Sequence, residues 1–302
     1  MSALLLLVVC FVVGLGLQRV SALPAAMPQA LNAFILWVSL PALVLLHVPR
    51  LQPTWALVLP IVTPWVVVFV ALAFFGLLCR MLGWSRATWG ALVLTGGLGN
   101  TSFVGLPMVE ALFGREHLGL ALLIDQFGSF VMLSTLGMMT AAVAAGERLA
   151  PRAMAARVLR FPPFIALLAA FALSTAGPLP DLMIEVLERI GATLAPLALV
   201  SVGMQLRLGA LRGEAGPLAA GLGYKLLLAP ALVWALCAGV ANLDTEVLGV
   251  TVVEAAMAPM ITGSIVATEY RLRPALAALM VGVGIPLSFL TAPLWAHLVT
   301  GL

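Results

Sequence analysis

Ten apolar runs occupy nearly the whole chain, at residues 3–18, 28–48, 54–79, 87–113, 117–145, 159–176, 183–206, 215–240, 245–268 and 274–299. A helix needs about 20 apolar residues to cross the hydrocarbon core of a bilayer. With 63% hydrophobic and 9% charged residues, the chain has far fewer charges than the roughly one quarter typical of a soluble domain. It cannot cover a water-facing surface, so it reads as an all-α integral membrane protein of ten transmembrane helices. The first run is short and is followed by VSALPAA, which resembles a signal-peptidase site. Yet no basic residue precedes it, and Arg19 follows it. That charge order fits a span with its N-terminus outside better than a cleaved signal.

Arginine placement sets the topology. Alternate loops carry Arg19; Arg80 and Arg86; Arg148, Arg152, Arg157 and Arg160; Arg207 and Arg212; and Arg271 and Arg273. The remaining loops carry only Arg50 and Arg115, with Arg189 early in the seventh run. By the positive-inside rule the Arg-rich loops are cytoplasmic and both termini are outside. The longest and most basic loop, GERLAPRAMAARVLR at 146–160, falls near the middle and divides the chain into 1–146 and 147–302. Five spans on each side is an odd number, so the halves enter the membrane in opposite orientation, as in an inverted repeat. Weak echoes agree: Pro41 in LPALVLL and Pro196 in APLALVS are 155 residues apart, and Pro107 and Pro259 are 152 apart.

Span 4 contains GGLGNTSFVGLP at 96–107, a cluster of helix breakers where lipid tolerates none. Unsatisfied backbone in hydrocarbon costs several kcal/mol, so a broken helix survives only inside protein or beside a water-filled cavity. Pro107 removes a helix N–H, and Gly96, Gly97, Gly99 and Gly105 lower helix propensity. Span 9 has its own breakers, Pro259 and Gly263 in EAAMAPMITG. If the two breaks cross, half-helix ends converge near the bilayer centre, where free N–H groups and the positive dipole end attract an anion. Asn100, Thr101, Ser102 and Thr262 add side-chain donors and acceptors there, while Pro107 and Pro259 keep the breaks. The competing reading gives the glycines to tight helix packing and leaves each proline as a simple kink.

Of the ionisable residues inside spans, four are singled out: Glu110, Asp125, Lys225 and Glu254. A charge at the bilayer centre costs about 2.5–3.5 kcal/mol on insertion scales, so each needs a reason. Glu110, beside Arg115 and Glu116, can reach the interface. Lys225 is the single lysine in a chain that otherwise uses arginine. It either ties helices together by pairing with Asp125 or Glu254, or joins one of them in coupling substrate movement to protonation or in replacing a bound cation. His47, His117 and His297 lie at span ends, and Cys10, Cys79 and Cys237 lie in apolar runs, so neither set reads as a metal site or a disulfide framework. The tryptophans fall partly at span ends, as interfacial anchors do.

The stretches GNTSFVGLPMVEALFG, KLLLAPAL, AAMAP and IVATEYRLRPALAALMV resemble the auxin efflux carrier family, which includes bacterial carboxylate permeases and plant auxin exporters. The resemblance runs span for span. It implies a 5+5 inverted repeat whose broken helices 4 and 9 cross at their prolines, with a scaffold of spans 1, 2, 6 and 7 beside a transport part of spans 3–5 and 8–10. It further implies a homodimer joined through the scaffold and alternating access by an elevator-type motion. The long central loop of many plant members is missing, so the chain looks like a compact bacterial-type member of an inner membrane. Glu254 stands where an uncharged polar residue is expected from the plant exporters.

The expected function is that of a secondary carrier for a small organic anion, a carboxylate or auxin-like acid. Asn100, Thr101, Ser102, Pro107, Pro259 and Thr262 form the binding region, and Asp125, Lys225 and Glu254 compensate charge. A sodium-coupled symporter of the same architecture is the nearest alternative, and an anion channel a further one. No cofactor, metal or nucleic-acid partner is expected. No HExxH or GxSxG motif points to an enzyme.

Overall fold

The computed structural model describes residues 2–51, 54–147, 152, 156, 159–175, 177, 179–206, 213–240 and 243–301. Arg148, Arg157, Arg207 and Arg212, which help to set the expected topology, lie outside the described residues. The chain is all-helical among those described, in the order α1 (Ser2–Leu17), α2 (Met27–Arg50), α3 (Val58–Leu82), α4 (86–97), α5 (Thr101–Phe113) and α6 (Arg115–Ala145). There follow α7 (Pro162–Ser174), α8 (Asp181–Gln205), α9 (Ala215–Ala238), α10 (Thr245–Ala255), α11 (Ile261–Glu269) and α12 (Pro274–Thr300). Six of these, α2, α3, α6, α8, α9 and α12, are long and apolar enough to cross a membrane. The chain is therefore an integral, multi-pass helical membrane protein. The fourth and ninth apolar runs each become two helices, α4–α5 and α10–α11.

Local sequence explains many helix starts. Ser85 accepts a hydrogen bond from the Thr88 N–H at the head of α4, and Asp244 accepts one from the Glu246 N–H at the head of α10. Pro162 and Pro274 open α7 and α12, where a missing N–H costs nothing.

Three prolines inside helices share one solution. A widened π-helical turn covers Ile35–Ser39 before Pro41, Thr101–Gly105 before Pro107, and Tyr224–Leu228 before Pro230. In each case the proline stands two residues past the turn. Its ring would strike the carbonyl four residues back, which lies within that turn, so the extra residue moves the carbonyl aside. The carbonyl so freed finds another donor in α9: Trp295 Nε1 donates to Leu226 O at 2.9 Å. Leu226 is the residue that the N–H at position 230 would have served.

The interruption expected at Pro107 is accordingly displaced. Pro107 sits inside α5, and the helix is broken upstream, at residues 98–100. The second break spans 256–260 and does contain Pro259, whereas Gly263 belongs to α11. The two breaks meet as a single antiparallel bridge between Gly99 and Pro259. The Asn100 N–H donates to Ala258 O at 2.8 Å, and the Met260 N–H donates to Leu98 O at 3.2 Å. The bonds flank the pair itself, so Pro259 occupies the position where the bridge asks for no N–H.

Two apolar cores adjoin at this crossing. One holds Val104, Leu106 and Met108 of α5 together with residues of α1, α2, α7 and α8; the other holds Ala91–Leu94 of α4 with residues of α3, α9 and α12. Helix α1 packs along α8, and α2 along α7 and α8.

If the bridge closes both breaks, the Asn100 and Met260 amides should exchange with deuterium as slowly as neighbouring helical amides. Exchange as fast as that of an open loop, measured by mass spectrometry in nanodiscs, would mean that the breaks do not pair.

Candidate functional site at the helix crossing

Four side chains with strong hydrogen-bonding or ionic chemistry are buried around the bridge: Asn100, Asp125, Lys225 and Glu254, each 3% exposed or less. Their placement follows from the half-helix ends. Asn100 is the N-cap of α5, its Oδ1 accepting from the Phe103 N–H at 3.2 Å. Thr101 and Ser102, the first two residues of α5, both donate their hydroxyls to Asp125 Oδ1 at 2.5 Å. Gln126 Nε2 donates to Asp125 Oδ2 at 2.7 Å. The carboxylate of α6 is thus bound at the positive end of α5, where a helix dipole favours an anion.

The opposite device closes α10. Lys225 Nζ donates to the carbonyl of Ala255, the last residue of that helix, at 3.0 Å. An ammonium at a helix C-terminus satisfies an orphan carbonyl and opposes the negative dipole end. Lys225 forms no ion pair within 4.0 Å, so the expected tie to Asp125 or Glu254 is replaced by this cap.

Two glycines of the break leave room for the charges. A Cβ on Gly99 would lie 2.8 Å from Lys225 Nζ, and one on Gly105 would lie 2.7 Å from Glu254 Oε2 and 3.0 Å from Oε1. The tight-packing role weighed for glycine is also met, at the crossing by Gly263, where a Cβ would lie 2.1 Å from Leu94 O, and away from it where Gly14 of α1 and Gly203 of α8 bring their backbones into contact.

Lys225 and Glu254 line a cavity of about 20 Å³ together with residues that include Thr63, Gly99, Thr101 and Ser129. One water needs roughly 10–15 Å³ by this measure, whereas small-molecule pockets run to about 300 Å³ or more. The crossing is closed in this conformation. A larger cleft of about 420 Å³ lies where α2 and α8 face α5 and the start of α6, lined by residues including His47, Arg50, Glu110, Arg115 and Glu188. Within it, Arg115 Nε is 2.7 Å from Glu110 Oε1.

Of the residues singled out by sequence, Asn100, Thr101, Ser102, Asp125, Lys225, Pro259 and Glu254 come together. Pro107 lies within α5 as described, and Thr262 is half-buried in the first turn of α11. Thr101 and Ser102 are committed to Asp125 here, which leaves Asn100 Nδ2 as an unpartnered donor at the crossing. Gln126 and Ser129 join the site from α6, and Ser129 is legible in hindsight because it follows Asp125 at the i, i+4 spacing of one helix face. Thr63 of α3 had no such signal. Trp65 and Trp295 are not only interfacial anchors: Trp65 Nε1 donates to Phe127 O at 2.9 Å, as Trp295 does to Leu226 O.

A multi-pass helical bundle with a polar crossing closed inside it defines the class of membrane transporters. More particularly, the chain belongs to the membrane transport protein family, which matches residues 1–296, and the resemblance to auxin efflux carriers holds over the chain. It is 24% identical to an uncharacterized transporter of Methanocaldococcus jannaschii, over 98% of this chain and 97% of the relative. It is 27% identical to an uncharacterized transporter of Methanothermobacter thermautotrophicus, over 70% of this chain and 68% of the relative.

Removing the Asp125 carboxylate leaves the Thr101 and Ser102 hydroxyls and the positive end of α5 unpaired in the interior. Asp125→Leu should destabilise the protein by about 1–3 kcal/mol for each buried donor left unsatisfied. Thr101→Ala should cost about 1.5–3 kcal/mol, the range for a hydrogen bond to a charged group. Thermal unfolding in detergent measures both, and equal midpoints for the variants and the wild type would remove the clamp.

Proposed function

We propose that the protein is a secondary carrier of small organic anions, mono- or dicarboxylates, whose binding region is the crossing of α4–α5 with α10–α11. The observation that carries this reading is the bridged break itself. It carries Asn100, whose buried Nδ2 is an unpartnered donor, between Gly99 and Thr101, two residues that line a cavity bordered also by Lys225. A carboxylate needs donors and a compensating positive charge, and it finds both there without leaving backbone groups bare in the membrane.

In this reading α4–α5 and α10–α11 are the fourth and ninth of ten spans, arranged as a 5+5 inverted repeat over 1–146 and 147–302. Spans 1, 2, 6 and 7 are the scaffold, supported by the packing of α1 on α8 and of α2 on α7 and α8. The crossover part, spans 3–5 and 8–10, moves against it to alternate access. The cleft between α2 and α8 on one side and α5 and α6 on the other is the path to the site from the face that the arginine pattern assigns to the outside. Homodimerisation through the scaffold and residence in a bacterial inner membrane complete the proposal, on the strength of the family resemblance.

Charge compensation rests on three residues with different roles. Asp125 holds the head of α5, Lys225 caps α10 and borders the cavity, and Glu254 is a second ionisable residue of its lining. Pro107 acts through register: without it the widened turn can tighten to an ordinary α-turn, turning Thr101 and Ser102 away from Asp125.

Flux of a panel of carboxylates into proteoliposomes, with and without pH and sodium gradients, tests the function. Saturable exchange is the expected result, and a channel would instead pass anions without saturation or counterflow. Asn100→Ala should lower flux at least tenfold while leaving insertion intact, and Pro107→Ala should do the same. Wild-type flux in Asn100→Ala would separate the crossing from the binding site.

A further inference from the structure

Glu254 is the buried group that the arrangement above leaves without a partner. Both carboxylate oxygens are buried and accept no hydrogen bond. The residue is among those lining the cavity of the crossing and is 2% exposed, and its carboxylate lies against Gly105. Gly105 leaves the room it occupies, since a Cβ at that position would lie 2.7 Å from Oε2. Lys225 borders the same cavity, yet no ion pair within 4.0 Å joins them. Buried polar atoms are almost always satisfied, so two bare carboxylate oxygens call for a donor from outside the chain.

The crossing therefore gathers chemically opposite groups, donors and a bare acceptor, about one cavity. Lys225 offers protons only, of which one goes to Ala255 O. Asn100 Nδ2 offers two more at the crossing, its orientation fixed by the Phe103 N–H on Oδ1. A carboxylate accepts only. A plain carboxylic acid anion would satisfy the donors and set its alkyl chain or its own charge against Glu254. An anion that carries an O–H or N–H beside its carboxylate satisfies both kinds of group at once.

We propose that the site selects organic anions bearing a hydrogen-bond donor next to the carboxylate, 2-hydroxy or 2-amino acids, with Glu254 accepting from that donor. This rests on the carrier reading and narrows it to a substrate class. Glu254 is then a specificity-determining residue, while Asp125, with its oxygens already bonded to Thr101, Ser102 and Gln126, is a positioning residue. A site built to bond a substrate O–H or N–H rejects the analogue lacking it, because its own buried group stays unpaired.

The experiment compares matched solutes in proteoliposomes containing the full chain: lactate against propionate, and malate and aspartate against succinate. The expected result is that the donor-bearing member is carried about ten- to a hundredfold better, as judged by kcat/KM. Glu254→Gln, which gives one oxygen's place to a donor, should reduce that ratio to about twofold or less through a selective loss for the donor-bearing member. Equal transport of both members by the wild type overturns the inference, as does an unchanged ratio in Glu254→Gln. Should that variant fail to insert, the wild-type ratio decides alone. Absence of carboxylate flux of any kind in the wild type overturns the carrier reading together with this one, whereas saturable flux without discrimination overturns only this one.

Discussion

Two backbone hydrogen bonds, from Asn100 to Ala258 and from Met260 to Leu98, make the rest of this structure possible. A helix cannot stop inside a bilayer unless the groups it abandons find partners, because hydrocarbon supplies none. Here each interruption supplies the other. The extended residues at the crossing pair across the molecule, and the position that contributes no N–H holds a proline. Only with that pairing in place can four helix ends be brought together deep inside an apolar bundle.

Those ends carry partial charges, and two of them are answered by full ones. Asp125 meets the start of α5 and Lys225 the finish of α10, so each ionisable residue is stabilised by the defect it repairs. Asp125 and Lys225 are placed by helix geometry, without an ion pair within 4.0 Å between them. This explains why Lys225 reaches a carbonyl rather than a carboxylate. It also explains why Glu254 stands apart: the helix end nearest to it already has its cation.

Much of this was legible in the chain. The ten apolar runs anticipate the long helices closely, for example 183–206 against Asp181–Gln205 and 274–299 against Pro274–Thr300. The conjunction of Gly, Asn and Pro in span 4 marks a genuine break, and Pro259 marks the other. What sequence could not separate was the work of the two prolines. Pro107 and Pro259 look alike in a string, but one follows a widened turn and continues a helix, while the other lies in extended backbone. Nor could spacing say that Thr101 and Ser102 would be taken by Asp125, because that choice depends on the rotation of α6 about its axis. The glycines were read as breakers, yet Gly99 and Gly105 matter most for the volume they leave to an ammonium and a carboxylate. That role becomes visible only once residues 254 and 225 are seen beside them.

The widened turns ahead of Pro41, Pro107 and Pro230 carry one further implication. Each stores a surplus residue, and one residue corresponds to about 100° of helical rotation. The faces before and after such a turn are therefore set independently, like two cams keyed at different angles on one shaft. Tightening such a turn to an ordinary α-turn with its residue kept would leave a continuous rod and spin everything beyond it by that angle. In α9 that would swing Lys225 relative to the aromatic lock formed by Trp295, so the length of these turns is as much a part of the design as their composition.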